Sequence, residues 1–138
     1  MLESRRLGFA RMPGLFEPLD IKGLKLKNRI VMAPMATKMA TPEGEVTGRH
    51  IRHYTARAHG GVGLIIVEST YVLRNVKRFR GQLGLYDDKL IYRLSQLVDA
   101  VHSAGARVAI QLTHAGSRAP REMIGEQPVG AWDIPVPE

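Results

Sequence analysis

The sequence predicts an α/β fold made of parallel βαβ units, and three observations carry that prediction. Ile30-Val31-Met32-Ala33, Val62-Gly63-Leu64-Ile65-Ile66-Val67 and Val108-Ala109-Ile110-Gln111-Leu112 are apolar runs, the last interrupted only by Gln111, of the kind that strands buried on both faces require. Segments of helical spacing lie between them, and a parallel neighbour is reached only through such a crossover. The first turn, Pro34-Met35-Ala36-Thr37, lacks the G-x-G-x-x-G that a dinucleotide-binding open sheet presents there. The start of a closed (β/α)8 TIM barrel is therefore favoured over an open doubly wound sheet.

Each element has a local reason. Leu19 and Ile21 alternate with Asp20 and Lys22, and Leu24 and Leu26 with Lys25 and Lys27, which predicts an N-terminal β-hairpin turning at Lys22-Gly23. The strand over 30–33 ends at Pro34, which holds Ala33 extended. Residues 38–49 are polar and read as a loop; Ile51, Tyr54 and Ala58 then recur at helical spacing until Gly60-Gly61 stops the helix. The second strand, 62–67, is followed by the polar triplet Glu68-Ser69-Thr70 and a basic loop. Asp87 is placed to cap a helix bearing Leu90, Leu94, Leu97, Val98 and Val101 on one side, and Gly105 to end it in a left-handed conformation. The third strand runs into Thr113-His114-Ala115-Gly116, and the Pro-rich remainder reads as loop. About three β/α units are thus present.

Composition narrows the chemistry. The 138 residues, 44% hydrophobic and 24% charged, suit one globular domain, with residues 1–14 as a polar extension. No cysteine is present, which excludes a disulfide framework, a thiolate zinc site and a cysteine nucleophile within the chain and fits a reducing cytoplasm. No window reads as a membrane span, and the first dozen residues, with Arg5, Arg6 and Arg11, do not read as a secretion signal. The net charge of +7 raises a polyanionic partner. Basic residues are scattered, however, and the one local cluster, Arg74, Lys77, Arg78 and Arg80, interleaves a single aromatic, Phe79. A stacking platform for nucleic acid supplies several. No nucleic-acid partner is expected, and the cluster reads as a solvated loop.

In α/β folds ligands bind at the carboxyl ends of the strands. Three places qualify: Ala33-Pro34-Met35-Ala36-Thr37, Glu68-Ser69-Thr70 and Gln111 to Gly116. They offer backbone amides, hydroxyls, a carboxamide, an imidazole and a carboxylate, with no carboxylate pair and no cluster of metal-ligand spacing, so no metal site is expected. Gln111 is the most informative residue, because a carboxamide in an apolar strand must satisfy two donors and an acceptor. Neighbouring backbone could do so; a planar ring with a donor–acceptor edge is the functional alternative. His114 reads as a structural or supporting imidazole more readily than as a proton donor. Glu68 could pair with a cation inside the barrel, and Arg118 could bind an anion or simply face solvent.

At these places the sequence resembles the Old Yellow Enzyme family of FMN-dependent NAD(P)H:flavin oxidoreductases. The matching pieces, in the family's order, are Leu15-Phe16-Glu17-Pro18-Leu19, Asn28-Arg29-Ile30-Val31-Met32-Ala33-Pro34-Met35, Tyr54 through Arg57-Ala58-His59-Gly60-Gly61-Val62-Gly63-Leu64-Ile65, Gly84-Leu85-Tyr86-Asp87-Asp88, and Gln111-Leu112-Thr113-His114-Ala115-Gly116. The resemblance implies a (β/α)8 barrel with FMN at the carboxyl-end mouth. Carried over by match, cofactor-binding residues are Ala33, Pro34 and Met35 along the flavin ring, Ala36 beside them, Ser69 near the ring, and Gln111 on its pyrimidine edge. It also implies NAD(P)H as hydride donor and a small-molecule oxidant such as an activated alkene. Where the family often has a hydroxyl or thiol after Pro-Met, this chain has Ala36 followed by Thr37. Where it usually continues Arg-Lys, this chain has Ser117-Arg118. Thr37 and Arg118 are the expected substrate contacts.

A (β/α)8 domain occupies about 250 residues, so residues 15–138 read as the N-terminal part of an FMN-binding barrel. The family's substrate-anchoring His pair or His and Asn, its Tyr on the fourth unit and its FMN phosphate site would all follow residue 138, so no catalytic residue is assigned. Three parallel strands alone leave an unpaired edge and an uncovered apolar face. The expectation is an N-terminal portion of a flavoenzyme, inactive by itself, completed by further barrel residues or another chain, with a homo-oligomer expected. The alternative is a non-catalytic short relative or interaction module, including one that assembles half-barrels.

Overall fold

Lys22 and Gly23 both adopt positive φ, 50° and 95°, the backbone that joins two antiparallel strands through a two-residue turn. Asp20 Oδ1 accepts the Gly23 N–H at 2.7 Å and closes it. Strands β1 (Leu19–Ile21) and β2 (Leu24–Leu26) pair across this turn as the alternation predicts. The structure is a computed structural model that describes residues 12–131; the expectations for 1–11 and 132–138 lie outside the described residues.

A parallel sheet follows. β3 (Val31–Met32) pairs with β4 (Leu64–Tyr71) through Val31↔Leu64 and Met32↔Ile65, and β6 (Arg107–Thr113) lies along the other edge of β4. A two-residue strand, β5 (Leu83–Gly84), pairs with the carboxyl end of β4. Helix α1 (Gly48–His59) crosses from β3 to β4 and α2 (Ile91–Ser103) from β4 to β6. Tyr54, Ala58, Leu97 and Val101 from the helices meet Ile65 and Val67 of β4, and Met32, Val108 and Ile110 pack against this core. By strand alternation Val31, Leu64, Ile66, Ala109 and Gln111 lie on the opposite face.

Several expectations need correction. The outer strands are not buried on both faces: Leu112, in phase with Val108 and Ile110 on the helix side, is 59% exposed, and on the opposite face Val31 is 45% exposed and Ala109 and Gln111 are exposed too. Apolar composition marks a strand destined for a covered face, and nothing among the described residues covers this one. β3 is shorter than the run over 30–33, while β4 continues past Val67 through Glu68, Ser69 and Thr70, because a parallel ladder accepts polar residues as readily as apolar ones. Asp87 caps a single turn of tighter helix, Asp88–Leu90, by accepting the Lys89 N–H at 3.1 Å, and α2 begins immediately after it. The basic loop is ordered rather than merely solvated. It contains a 3-10 turn at Arg74–Val76 and β5, and Arg74, Tyr86, Tyr71 and Lys77 form a cation–aromatic ladder in which the two rings stack 5.2 Å apart. After β6 the chain makes a 3-10 turn (Gly116–Arg118) and a one-turn helix, α3 (Arg121–Ile124), where loop was expected.

Two contacts align the strands. Buried Asn28 donates from Nδ2 to the Gly61 carbonyl at 2.7 Å and accepts the Ile30 N–H at 3.1 Å, which ties the end of α1 to the start of β3. Gly44, with φ 90°, lies against the end of the sheet, where an added Cβ would come within 2.6 Å of Tyr71 Oη and 2.9 Å of the Gly84 backbone nitrogen. Gly44→Ala is expected to destabilise the chain by about 2 kcal/mol or more, against about 1 kcal/mol for Gly23→Ala, whose Cβ would meet nothing within 4 Å. Urea unfolding of the two variants checks the order, and equal midpoints would contradict it.

Candidate functional site

Because β3, β4 and β6 are mutually parallel, their carboxyl ends share one edge of the sheet, and the three strand-end segments share it with them. The register between β4 and β6 shifts there: Val67 pairs with Ile110, but Thr70 pairs with Leu112, so Glu68 and Ser69 together oppose Gln111. Such a bulge adds one residue to β4 and re-aims the side chains around it. Val67 and Glu68, adjacent in sequence, are consequently both fully buried on the helix side.

Glu68 is the electrostatic centre of this edge. Its Oε2 accepts the Thr37 N–H at 2.8 Å, its Oε1 accepts the Thr37 hydroxyl at 2.6 Å and the Tyr54 hydroxyl at 3.4 Å, and His50 Nε2 lies 3.2 Å from Oε1. The Tyr54 oxygen also accepts the Glu68 N–H at 3.0 Å. His50 Nδ1 accepts the Thr47 N–H at 3.1 Å, which leaves the proton on Nε2, facing the carboxylate. Burial pushes the Glu68 carboxyl up, but the adjacent His50 imidazole and the hydrogen bonds from Thr37 outweigh it and hold it below its ordinary value. Burial, followed by the neighbouring Glu68 charge, pushes the Tyr54 hydroxyl well up, so it remains a neutral donor. Glu68 thus meets donors from α1 and from the β3 loop, where the sequence suggested a cation. Thr37 gives both its amide and its hydroxyl to this carboxylate.

The residues singled out in the sequence fall into two groups. Ala33, Met35 and Ala36 are exposed along the segment leaving β3, with Pro34 half-buried between them. Gln111 is exposed on the sheet face away from the helices, and among the described residues no hydrogen-bond partner meets its carboxamide. Backbone does not satisfy it. Ser69 lies opposite, at the bulge. The remaining residues are local or peripheral: His114 Nδ1 accepts the Gly116 N–H at 2.9 Å and shapes the turn after β6, and exposed Arg118 ends the 3-10 turn.

Gln82 is the residue that sequence reasoning missed. It is 2% exposed, its Oε1 accepts the Arg78 N–H at 2.8 Å, and its Nε2 lies 3.4 Å from the Ser69 carbonyl, Ser69 Oγ and Thr113 Oγ1. One carboxamide therefore links the basic loop to the ends of β4 and β6. Its only sequence signal was a Gln immediately before the short apolar β5. Among the described residues no helix is long and apolar enough to cross a membrane, and no group of three or more His, Cys, Asp or Glu could hold a metal ion.

Since the folded chain favours the ionised form of Glu68, its contribution to stability is present above the ordinary carboxylate value of 4.5 and is lost as pH falls through the lower folded value. Glu68→Gln turns an amide NH2 toward donors and is expected to cost about 2–3 kcal/mol at neutral pH, with a smaller loss near pH 3. Unfolding midpoints measured across the acid range check this, and a pH-independent loss would contradict the assignment.

Residues 14–136 match the NADH:flavin oxidoreductase / NADH oxidase family. The chain is 45% identical over 125 residues to an NADH oxidase of Thermoanaerobacter brockii, covering 89% of this chain and 19% of that protein. It superposes on an old yellow enzyme homologue from Zymomonas mobilis with a TM-score of 0.79 and 33% identity, and on morphinone reductase in complex with tetrahydroNAD with 0.79 and 34%. These alignments cover 84% and 85% of this chain and 32% of each of those chains, so the chain spans about a third of the solved structures and a fifth of the curated relative. The parallel sheet with its hairpin is accordingly the N-terminal part of a (β/α)8 barrel, and the chain belongs to the NADH:flavin oxidoreductase / NADH oxidase family.

Proposed function

We propose that the chain supplies the first third of a flavoenzyme of the Old Yellow Enzyme type, which passes hydride from NAD(P)H through FMN to a small-molecule acceptor such as an activated alkene. The observation that carries the reading is Gln111: a carboxamide exposed at the carboxyl end of a parallel strand, unmet by backbone and set against the bulge that carries Ser69. An exposed, unpartnered amide at the end of an otherwise apolar strand suits a ligand edge with alternating donors and acceptors. When bound, FMN supplies hydride acceptance and delivery; the protein supplies position and electrostatics.

The residues present fit that group. Exposed Ala33 and Met35 flank Pro34, which has no N–H, so the segment offers a flat, largely apolar bed with few donors. Ala36 adds no bulk. Ser69 and Gln111 lie across the bulge from one another and could read a ring edge, Gln111 with donor and acceptor together. Glu68 holds Thr37 by two hydrogen bonds and so fixes the bed in place without touching the ring itself. Thr37 is consequently a weaker substrate contact than its position suggested, and Arg118, exposed on the third loop, is the better one for an anionic substrate.

Turnover requires more than these residues. The sheet face bearing Val31 and Gln111 is open among the described residues, and water at this face would weaken every interaction with a ring. The missing wall comes either from further barrel residues or from another chain, and the 138-residue chain alone is inactive on this reading. A cytoplasmic setting suits the absence of cysteine.

Titrating riboflavin into the 138-residue chain and into the same chain carrying Gln111→Leu tests the site. The unmodified chain is expected to quench flavin fluorescence saturably and to show no NADH consumption, and the variant to bind roughly tenfold more weakly, as loss of one or two ring hydrogen bonds implies. Equal affinity in the two, or steady NADH turnover by the chain alone, would refute this assignment.

A further inference from the structure

The basic cluster that the fold does not explain has a place in the structure. Lys38, Ala40 and Pro42 from the segment after β3, and Lys77, Arg80 and Gly81 from the segment after β4, line a cleft of about 420 Å³. Both segments leave carboxyl ends of parallel strands, so the cleft lies at the rim of the mouth that holds Ser69 and Gln111. Gly81 immediately precedes Gln82, whose amide reaches Ser69. We propose that this cleft is an anion subsite, and that it receives the phosphate of a ligand whose ring lies at the mouth; the identity of that ligand rests on the flavoenzyme reading, the subsite itself does not.

Three cations and no acid line the cleft. Among the described residues no carboxylate stands within 4.0 Å of Lys38, Lys77 or Arg80, whereas Arg74, outside the cleft, has Asp87 at 3.7 Å. Grouped like charges raise the free energy of the compact state unless a counter-charge is bound. The fold nevertheless holds them together. Lys77 Nζ donates to the Pro42 carbonyl at 2.6 Å and lies 5.6 Å from the Tyr71 ring centre; Lys38 Nζ lies 5.9 Å from that of Phe79. The two walls are pinned to each other where Ala40 donates its N–H to the Gly81 carbonyl at 3.0 Å. Burial lowers the pKa of the Lys77 ammonium, opposed by the charge of Glu43, so an arriving anion would offset a cost already present. An arginine for paired phosphate oxygens beside two lysine point charges is a donor set suited to a phosphate ester or a pyrophosphate. The cleft falls within the size range of small-ligand sites, about 300–1,000 Å³.

Isothermal titration of the full 138-residue chain with inorganic pyrophosphate at low ionic strength tests the subsite. Arg80→Gln and Lys38→Asn are suitable variants because both side chains are exposed and asparagine tolerates the positive φ of 58° at residue 38. Each is expected to weaken pyrophosphate binding about tenfold, with an unchanged circular dichroism spectrum and with Arg121→Gln binding as the parent does. A second basic group, Lys25, Lys27 and Arg107, lies at the amino ends of the strands. Binding weakened by Lys27→Gln and not by Arg80→Gln would overturn the proposal, as would no binding at all. Competition identifies the source: displacement by NADH and not FMN assigns the hydride donor's pyrophosphate, whereas displacement by FMN and not NADH would overturn the assignment, because the flavin's phosphate is expected at a site beyond residue 138. Displacement by neither, or far stronger displacement by a single-stranded oligonucleotide, would overturn the assignment to a ligand of the mouth. Riboflavin carries no phosphate, so its binding should be untouched by Arg80→Gln, and failure of riboflavin to bind would sink the flavin reading while leaving the subsite standing.

Discussion

A single buried carboxylate holds together the three segments on which the mouth of this sheet depends. Glu68 takes hydrogen bonds from the Thr37 amide and hydroxyl, and lies against His50 and Tyr54 of α1. The first crossover is thereby fastened at its carboxyl end, as Asn28 fastens it at the other. A buried charge is costly unless its lone pairs are met, and here donors from two different elements meet it. Moving either element would leave the carboxylate short of donors, so the segment from Ala33 to Thr37 has little freedom to shift relative to β4. Rigidity of that kind is what a binding bed requires.

The bulge in β4 makes this arrangement compatible with a ligand site. Without the extra residue, alternation would send Val67 and Glu68 to opposite faces, and the carboxylate would point into the sheet's open side. With it, Glu68 joins the helix layer, Ser69 comes opposite Gln111, and the open face keeps a carboxamide at its carboxyl end. Gln82 then bridges the two strand ends from the far loop, so the second β/α connection is tied into the same edge. The cationic cleft is continuous with that connection. Structural polarity is therefore sorted by layer: the buried acid lies between sheet and helices, the carboxamide on the opposite face, and the grouped cations of the cleft at the rim.

Much of this architecture is legible in the amino-acid sequence. The hairpin followed from two-residue alternation around a Lys-Gly turn, α1 and α2 from helical spacing with glycine stops, and the parallel sheet from apolar runs separated by crossovers. Those signals are local, set by side-chain period and by the backbone freedom of particular residues. Strand ends were read less well. Apolarity stops at Val67 while the ladder continues to Tyr71, because hydrogen bonding in a sheet is indifferent to side-chain type. β5 escaped notice because two residues carry no period, and the order of the basic loop because stacking of Tyr71 on Tyr86 joins residues far apart in sequence.

The sequence by itself determined the class of fold, the direction of its strands, and the fact that Ala33 to Thr37, Ser69 and Gln111 would share one edge, since parallel order alone brings carboxyl ends together. Tertiary structure decided what each polar side chain faces. Glu68 could have met a cation, Gln111 its own backbone, and Arg74 to Arg80 nothing but water; the bulge, the crossover of α1 and the meeting of two distant loops settled these instead. The physical reason is that hydrogen-bond satisfaction depends on register and on which face a side chain occupies, and one inserted residue in β4 changes both without leaving a mark in the pattern of apolar positions.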